Sequence, residues 1–80
     1  MNIYQADLDR RQLISVQLTD FADISDVRVS HADWFGYDRR EEPIEYVRIR
    51  LSPVRFRFFV EAENLAHACK IAEILIEVEK

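Results

Sequence analysis

Glycine occurs once in this chain of 80 residues, cysteine once and proline twice. One cysteine cannot close an internal disulfide. Cys69 falls on or beside the apolar side of an expected helix and reads as a small core residue of a cytosolic protein. Long hydrophobic runs are missing too. The longest uncharged apolar run is Ile74-Leu75-Ile76, far short of the ~20 residues that a membrane-spanning helix needs. Asp7 and Asp9 break up any apolar segment near the start, so no signal peptide is expected. Two histidines and one cysteine show no zinc-ligand spacing. His31 and Asp33 share a face if their segment is a strand, but no nucleophile or metal cluster accompanies them. His67 and Cys69, two apart on a helix, diverge by about 200° and cannot act as a dyad. No catalytic residue, metal or cofactor is therefore expected.

What the chain does have is apolar content and sorted charge. Hydrophobic residues make up 49%, which fits one folded domain over residues 1–80 rather than a disordered tail. The net charge of −4 hides a segregation. Residues 1–43 hold nine acids and five bases, 44–60 one acid and four bases, and 61–80 five acids and two bases. There is no repeat, low-complexity tract or internal linker.

The clearest organisation runs from Ile44 to Glu79. Val47, Ile49 and Leu51 alternate with Tyr46, Arg48 and Arg50; after Ser52-Pro53, the residues Val54, Phe56, Phe58 and Val60 alternate with Arg55, Arg57 and Phe59. Period-two alternation marks strands with one buried face. Pairing Leu51 with Val54 puts Ile49 opposite Phe56 and Val47 opposite Phe58, keeping all apolar side chains together. Pro53 cannot take the positive φ of a tight two-residue turn. Either its peptide bond is cis, or the loop opens to include Leu51 and Val54. After Glu63 the period becomes helical, with Asn64 as N-cap and Leu65, Ala68, Ala72, Leu75 and Ile76 at three- and four-residue spacing. The apolar arc of this helix spans roughly 220°, where one sheet face needs only about 100° or a little more. Either N-terminal residues wrap the flank, or His67, Ile74 and Val78 form a dimer or partner surface.

Upstream, Asn2 to Asp7 reads as a short edge strand, Asp9-Arg10-Arg11-Gln12 as a turn, and Leu13 to Leu18 as a second strand. Thr19 to Ser25 reads as a capped helical turn or a loop pinned by Phe21 and Ile24. Asp26 to Trp34 alternates, with Val27 and Val29 inward, and predicts another strand. Trp34 to Tyr37 then falls in a loop with the only glycine, Gly36.

Three features bear on function. In the expected hairpin register Arg50 faces Arg55 and Arg48 faces Arg57, and like charges directly opposite are destabilising. The cluster Arg48, Arg50, Arg55 and Arg57 therefore implies nearby anions. These are either internal acids folded over it, or phosphates gripped beside stacked bases as in sheet-type RNA binders. Net acidity argues against the second. Next, Asp20, Asp23, Asp26, Asp33, Asp38, Glu41 and Glu42 read either as a solvated surface or as spaced negative charge offered to a basic groove. Lastly, Trp34 and Phe35 either complete the core or join Tyr37 as an aromatic contact site.

The segment Phe59-Val60-Glu61-Ala62-Glu63-Asn64-Leu65-Ala66-His67-Ala68-Cys69-Lys70-Ile71-Ala72 resembles the ending of small phage accessory proteins: a strand with Val-x-Ala, a polar cap, and a helix with Ala every four residues. Several small phage-encoded anti-CRISPR proteins acting on type I RNA-guided surveillance complexes share this look, with short length and acidic charge. The resemblance covers about a quarter of the chain and carries over no functional residue. It implies an inhibitor that binds the surveillance complex in the host cytoplasm and blocks target DNA binding.

The sequence thus predicts an α+β fold: an antiparallel sheet of about four strands with one C-terminal helix packed on one face. The leading function is non-enzymatic inhibition through a protein partner, an RNA-guided surveillance complex subunit, with contacts from Asp33, Trp34, Tyr37, Asp38, Glu41 and Glu42. The alternatives are a small RNA- or DNA-binding domain using the arginine face, and a homodimerisation module using His67, Ile74 and Val78.

Overall fold

The computed structural model describes residues 2–30, 34–37 and 43–78, with backbone only for 34–37, 43 and 44. The fold is α+β. Five antiparallel strands form one sheet in the order β2-β1-β5-β4-β3. In chain order the elements are β1 (Asn2–Asp9), β2 (Gln12–Leu18), α1 (Ile24–Ser30), β3 (Trp34–Tyr37), β4 (Pro43–Arg50), β5 (Arg55–Ala62) and α2 (Leu65–Val78). The expected C-terminal helix is present and packs across β1, β2 and β5. A fifth strand and a second helix add to the expected architecture.

Asn64 caps α2 as the sequence predicts. Its Oδ1 accepts the His67 N–H at 2.9 Å, and its carbonyl accepts the Ala68 N–H at 3.0 Å, which satisfies donors that a helix start leaves open. Ala68, Ile71, Ala72 and Leu75 are buried against Tyr4, Ala6, Leu8, Phe58, Val60 and Ala62. The small alanines let the helix axis lie close to the sheet, and Leu75 and Ile71 fill the space between.

The segment expected as a strand from Asp26 to Trp34 contains α1 instead. Asp23 Oδ1 accepts N–H bonds from Ser25 at 2.8 Å and Asp26 at 3.1 Å, forming a helix cap. Ile24 and Val27, three apart, are buried together, whereas Val29 is 90% exposed. Val27 and Val29 therefore do not share an inward face; the cap and the i, i+3 pair outweigh the β preference of two valines. α1 packs on β4 and β5, on the sheet face opposite α2. Ile3, Val47 and Phe59 form the floor beneath it, and Phe21 meets Phe59 edge-to-face with centroids 5.6 Å apart.

Helices on both faces change the register of the β4–β5 hairpin. Val47 pairs with Phe59, Arg48 with Phe58, Ile49 with Arg57 and Arg50 with Phe56. This is one residue away from the expected pairing, which assumed a single buried face. The connection is a three-residue loop, Ser52 to Val54. Ser52 Oγ accepts the N–H groups of Val54 at 3.3 Å and Arg55 at 3.0 Å, and Leu51 N–H donates to Arg55 O at 2.9 Å. There is no cis peptide bond among the described residues, so the open-loop option for Pro53 holds, without the pairing expected of it. The gain is apolar burial on both sides: Tyr46 is 1% and Phe59 5% exposed, and the expected register would have put both on the arginine face. Each such side chain contributes ~1.5–3 kcal/mol when fully buried.

β1 is also not an edge strand. It lies between β2 and β5, with Ile3, Tyr4, Ala6 and Leu8 buried. β2 takes the edge, and a bulge opposite Asp7 and Leu8 breaks its simple alternation. Leu13 and Val16 pack inward, leaving Ile14 and Leu18 exposed.

Candidate functional site

The register determines what the arginines do. Arg48 and Arg50 alternate with Val47 and Ile49 and so lie on the α2 side of the sheet, beside Phe58 and Phe56. Arg55 and Arg57 lie on the α1 side, where β1 places Asp9 and Asp7 opposite them. The four-arginine face expected from the sequence is therefore not formed. Acids of the neighbouring strand replace the like-charge pairs. Arg57 Nε donates to Asp7 Oδ1 at 2.8 Å, with the Asp7 side chain only 13% exposed. Gln5 Nε2 donates to Asp7 Oδ2 at 3.1 Å, so both carboxylate oxygens are held. This charge-assisted pair joins β1 to β5 across the middle of the sheet.

The sequence reading offered internal acids as one source of counter-charge, and for Arg57 that source is Asp7. Arg28 pairs with Glu45 at 3.0 Å. That contact links α1 to β4 on an exposed surface.

Of the residues expected to contact a partner, Asp33, Asp38, Glu41 and Glu42 lie outside the described residues. Trp34 and Tyr37 belong to β3, a strand rather than a loop, opposite Val47 and Pro43. The acids described from the same half of the chain are Asp20, Asp23 and Asp26. All three are exposed, and none is in an ion pair with a described residue. They follow one another at three-residue spacing over the approach to α1 and its first turn. The Thr19 N–H bond to Ile3 O at 3.0 Å fixes the start of this segment to the sheet end where β1 begins.

The proposed dimer residues divide. His67 is exposed, and its Nδ1 accepts the Glu63 N–H at 3.2 Å, so its ring helps close the start of α2. Ile74 and Val78 are half-buried, and Cys69 is a half-buried free thiol. Among the described residues no set of three histidine, cysteine or carboxylate side chains converges as metal ligands. Among them too, no helix is long and apolar enough to cross a membrane.

Sequence reasoning missed a second charged region. Arg10 and Arg11 turn between β1 and β2 at the end of the sheet where β4 passes into β5, and Arg10 N–H donates to Val54 O at 2.8 Å. The turn itself was legible, but its neighbour was not, because that depends on β1 pairing with β5. No protein family, curated protein or solved structure matches this chain.

Proposed function

We propose that this chain is a non-enzymatic inhibitor that works by occupying a basic surface of a nucleic-acid-handling complex and excluding the nucleic acid from it. The strand-to-helix resemblance over residues 59–72 points to a type I RNA-guided surveillance complex as that partner. On this reading the chain is a phage-encoded anti-CRISPR acting in the host cytoplasm.

The observation that carries this reading is the exposed acidic segment. Asp20, Asp23 and Asp26 present carboxylates at short, regular spacing on a segment fixed to the sheet, with no cation among the described residues taking up their charge. Short carboxylates held this way compete for the arginines and lysines that would otherwise bind phosphates. Asp33, Asp38, Glu41 and Glu42 extend the same acid-rich half in sequence, with Trp34 and Tyr37 as the aromatic contacts among them. The direct nucleic-acid reading loses support because Arg48 and Arg50 are separated from Arg55 and Arg57 by the sheet.

The test is target-DNA binding by a purified surveillance complex in the presence of this protein. Wild type is expected to abolish DNA binding. Asp20→Asn, Asp23→Asn and Asp26→Asn together remove three charges while Asn keeps the α1 cap, and should weaken inhibition at least tenfold. Arg48→Ala should leave it unchanged. Full inhibition by the triple Asn variant, or no inhibition by wild type, contradicts the proposal.

A further inference from the structure

The turn between β1 and β2 is built from residues that suit it poorly. Arg10 and Arg11 have φ of 51° and 66°, both in the left-handed region, as the two central positions of a tight hairpin turn require. Asn-Gly satisfies this geometry at little cost, whereas a side chain such as arginine is strained there. Two adjacent positions held against local preference point to a use for the side chains.

Both arginines line an open cleft of about 420 Å³. Its floor is Leu8, Phe56 and Ile76, and the β4–β5 turn supplies Pro53 and Val54 at the rim. Leu8 and Phe56 are direct neighbours in the sheet, and Arg50 is the partner of Phe56 on the other side. Arg10 and Arg11 thus rim an apolar floor, and Arg50 stands one strand beyond it on the same face, its Nε donating to Ser52 O at 3.4 Å. Arg10, Arg11 and Arg50 are exposed and none has a carboxylate partner among the described residues. Arg55, on the opposite face, stands beside Asp9 and does not belong to the group. The bond from Arg10 N–H to Val54 O, 2.8 Å long, holds the two turns together, so the cationic rim is fixed relative to the floor.

We propose that this end of the sheet is a docking site for an acidic segment of a partner protein that inserts one apolar side chain into the cleft. The carboxylates of such a segment match the arginine forks, and an apolar anchor matches Leu8, Phe56 and Ile76. A nucleic-acid strand would meet the arginines and could stack one base on Phe56, but would leave Leu8 and Ile76 without a counterpart. A free small molecule favours a site that encloses most of its surface, and this cleft is open. The site is independent of the acidic segment around Asp20 to Asp26.

The probe is a fluorescein-labelled peptide of aspartates and glutamates with a central Phe. Its controls are the same peptide with central Ala and a single-stranded oligonucleotide of equal charge. Wild-type protein should bind the Phe peptide with a Kd of the order of tens of micromolar, and the Ala peptide about tenfold more weakly. Arg10→Asn with Arg11→Gly should lose binding at least tenfold, while Tm stays the same or rises by roughly 4–8 °C. Val54→Asp, at an exposed loop position, should also weaken binding. No saturable binding, or equal binding by the Asn-Gly variant, overturns the proposal. So does an oligonucleotide that binds as tightly as the Phe peptide. A fall in Tm alongside lost binding would assign the arginines to the fold and overturns it as well.

Discussion

Asp7 shows how one charged side chain is tolerated inside a small sheet. It is mostly buried, yet Arg57 and Gln5 donate to its two oxygens, so its desolvation is offset by directed bonds. Removing Arg57 leaves that charge without its main partner. Arg57→Ala should therefore cost about 2–3 kcal/mol in urea unfolding, close to the range for charged hydrogen bonds. In a double-mutant cycle, the loss should shrink sharply when Asp7→Asn is already present. At the start of α2, Asn64→Ala should cost ~1 kcal/mol, readable as a shift in the urea midpoint with unchanged slope. Asp7 and Arg57 stand out in the sequence as charges on strands, but not as partners. They lie fifty residues apart, and only the pairing of β1 with β5 brings them together.

At the scale of elements, legibility followed length and periodicity. The helix α2 is 14 residues long with a capping asparagine and a sustained apolar face, so its position was readable. By contrast, α1 has seven residues, and two valines in alternation resemble a strand over so short a window. Asp23 and the Ile24–Val27 spacing carried the helical signal. The β4 and β5 strands were readable as strands, but their register was not. Alternation tells which residues share a face, not whether the other face is covered. Tyr46 and Phe59 belong to that other face, and α1, which covers Phe59, itself alternates like a strand in sequence. The three-residue turn follows from this. Deleting Val54 would leave only Ser52 and Pro53 between the paired Leu51 and Arg55. Pro53 cannot take the positive φ of a two-residue turn, so a three-residue loop could form again only by a slip into the alternative register, turning Tyr46 or Phe59 away from its core. Such a variant should lose cooperative thermal unfolding and bind a hydrophobic dye, whereas Val54→Ala should melt within a few degrees of wild type.

Over the whole molecule, the same register decides where charge appears. Arg57 is taken up by Asp7 of β1, and the sheet separates Arg48 and Arg50 from Arg55 and Arg57. Exposed acids gather on the segment leading into α1, and exposed arginines gather at the β1–β2 and β4–β5 turns. Composition shows the sorting along the chain but not in space, because the strand order alone brings the Arg10–Arg11 turn to the same end of the sheet as Arg50. The acidic residues within 31–42 lie outside the described residues, and the inhibitor reading extends to them from sequence alone. The Asp20–Asp26 segment as partner-binding surface, and the arginine-rimmed cleft as a second site, both presuppose that the sheet divides the four hairpin arginines. Disulfide mapping tests that division most directly. In a Cys69→Ala background, Ile49→Cys with Arg57→Cys should cross-link under mild oxidation, because opposite positions bring Cβ atoms within ~4.5–5.5 Å and small adjustments close the bond. Ile49→Cys with Phe56→Cys should keep both thiols free, since those side chains point to opposite faces. Cross-linking of the second pair and not the first would restore the single arginine face, contradict this account, and return direct nucleic-acid binding to the leading place.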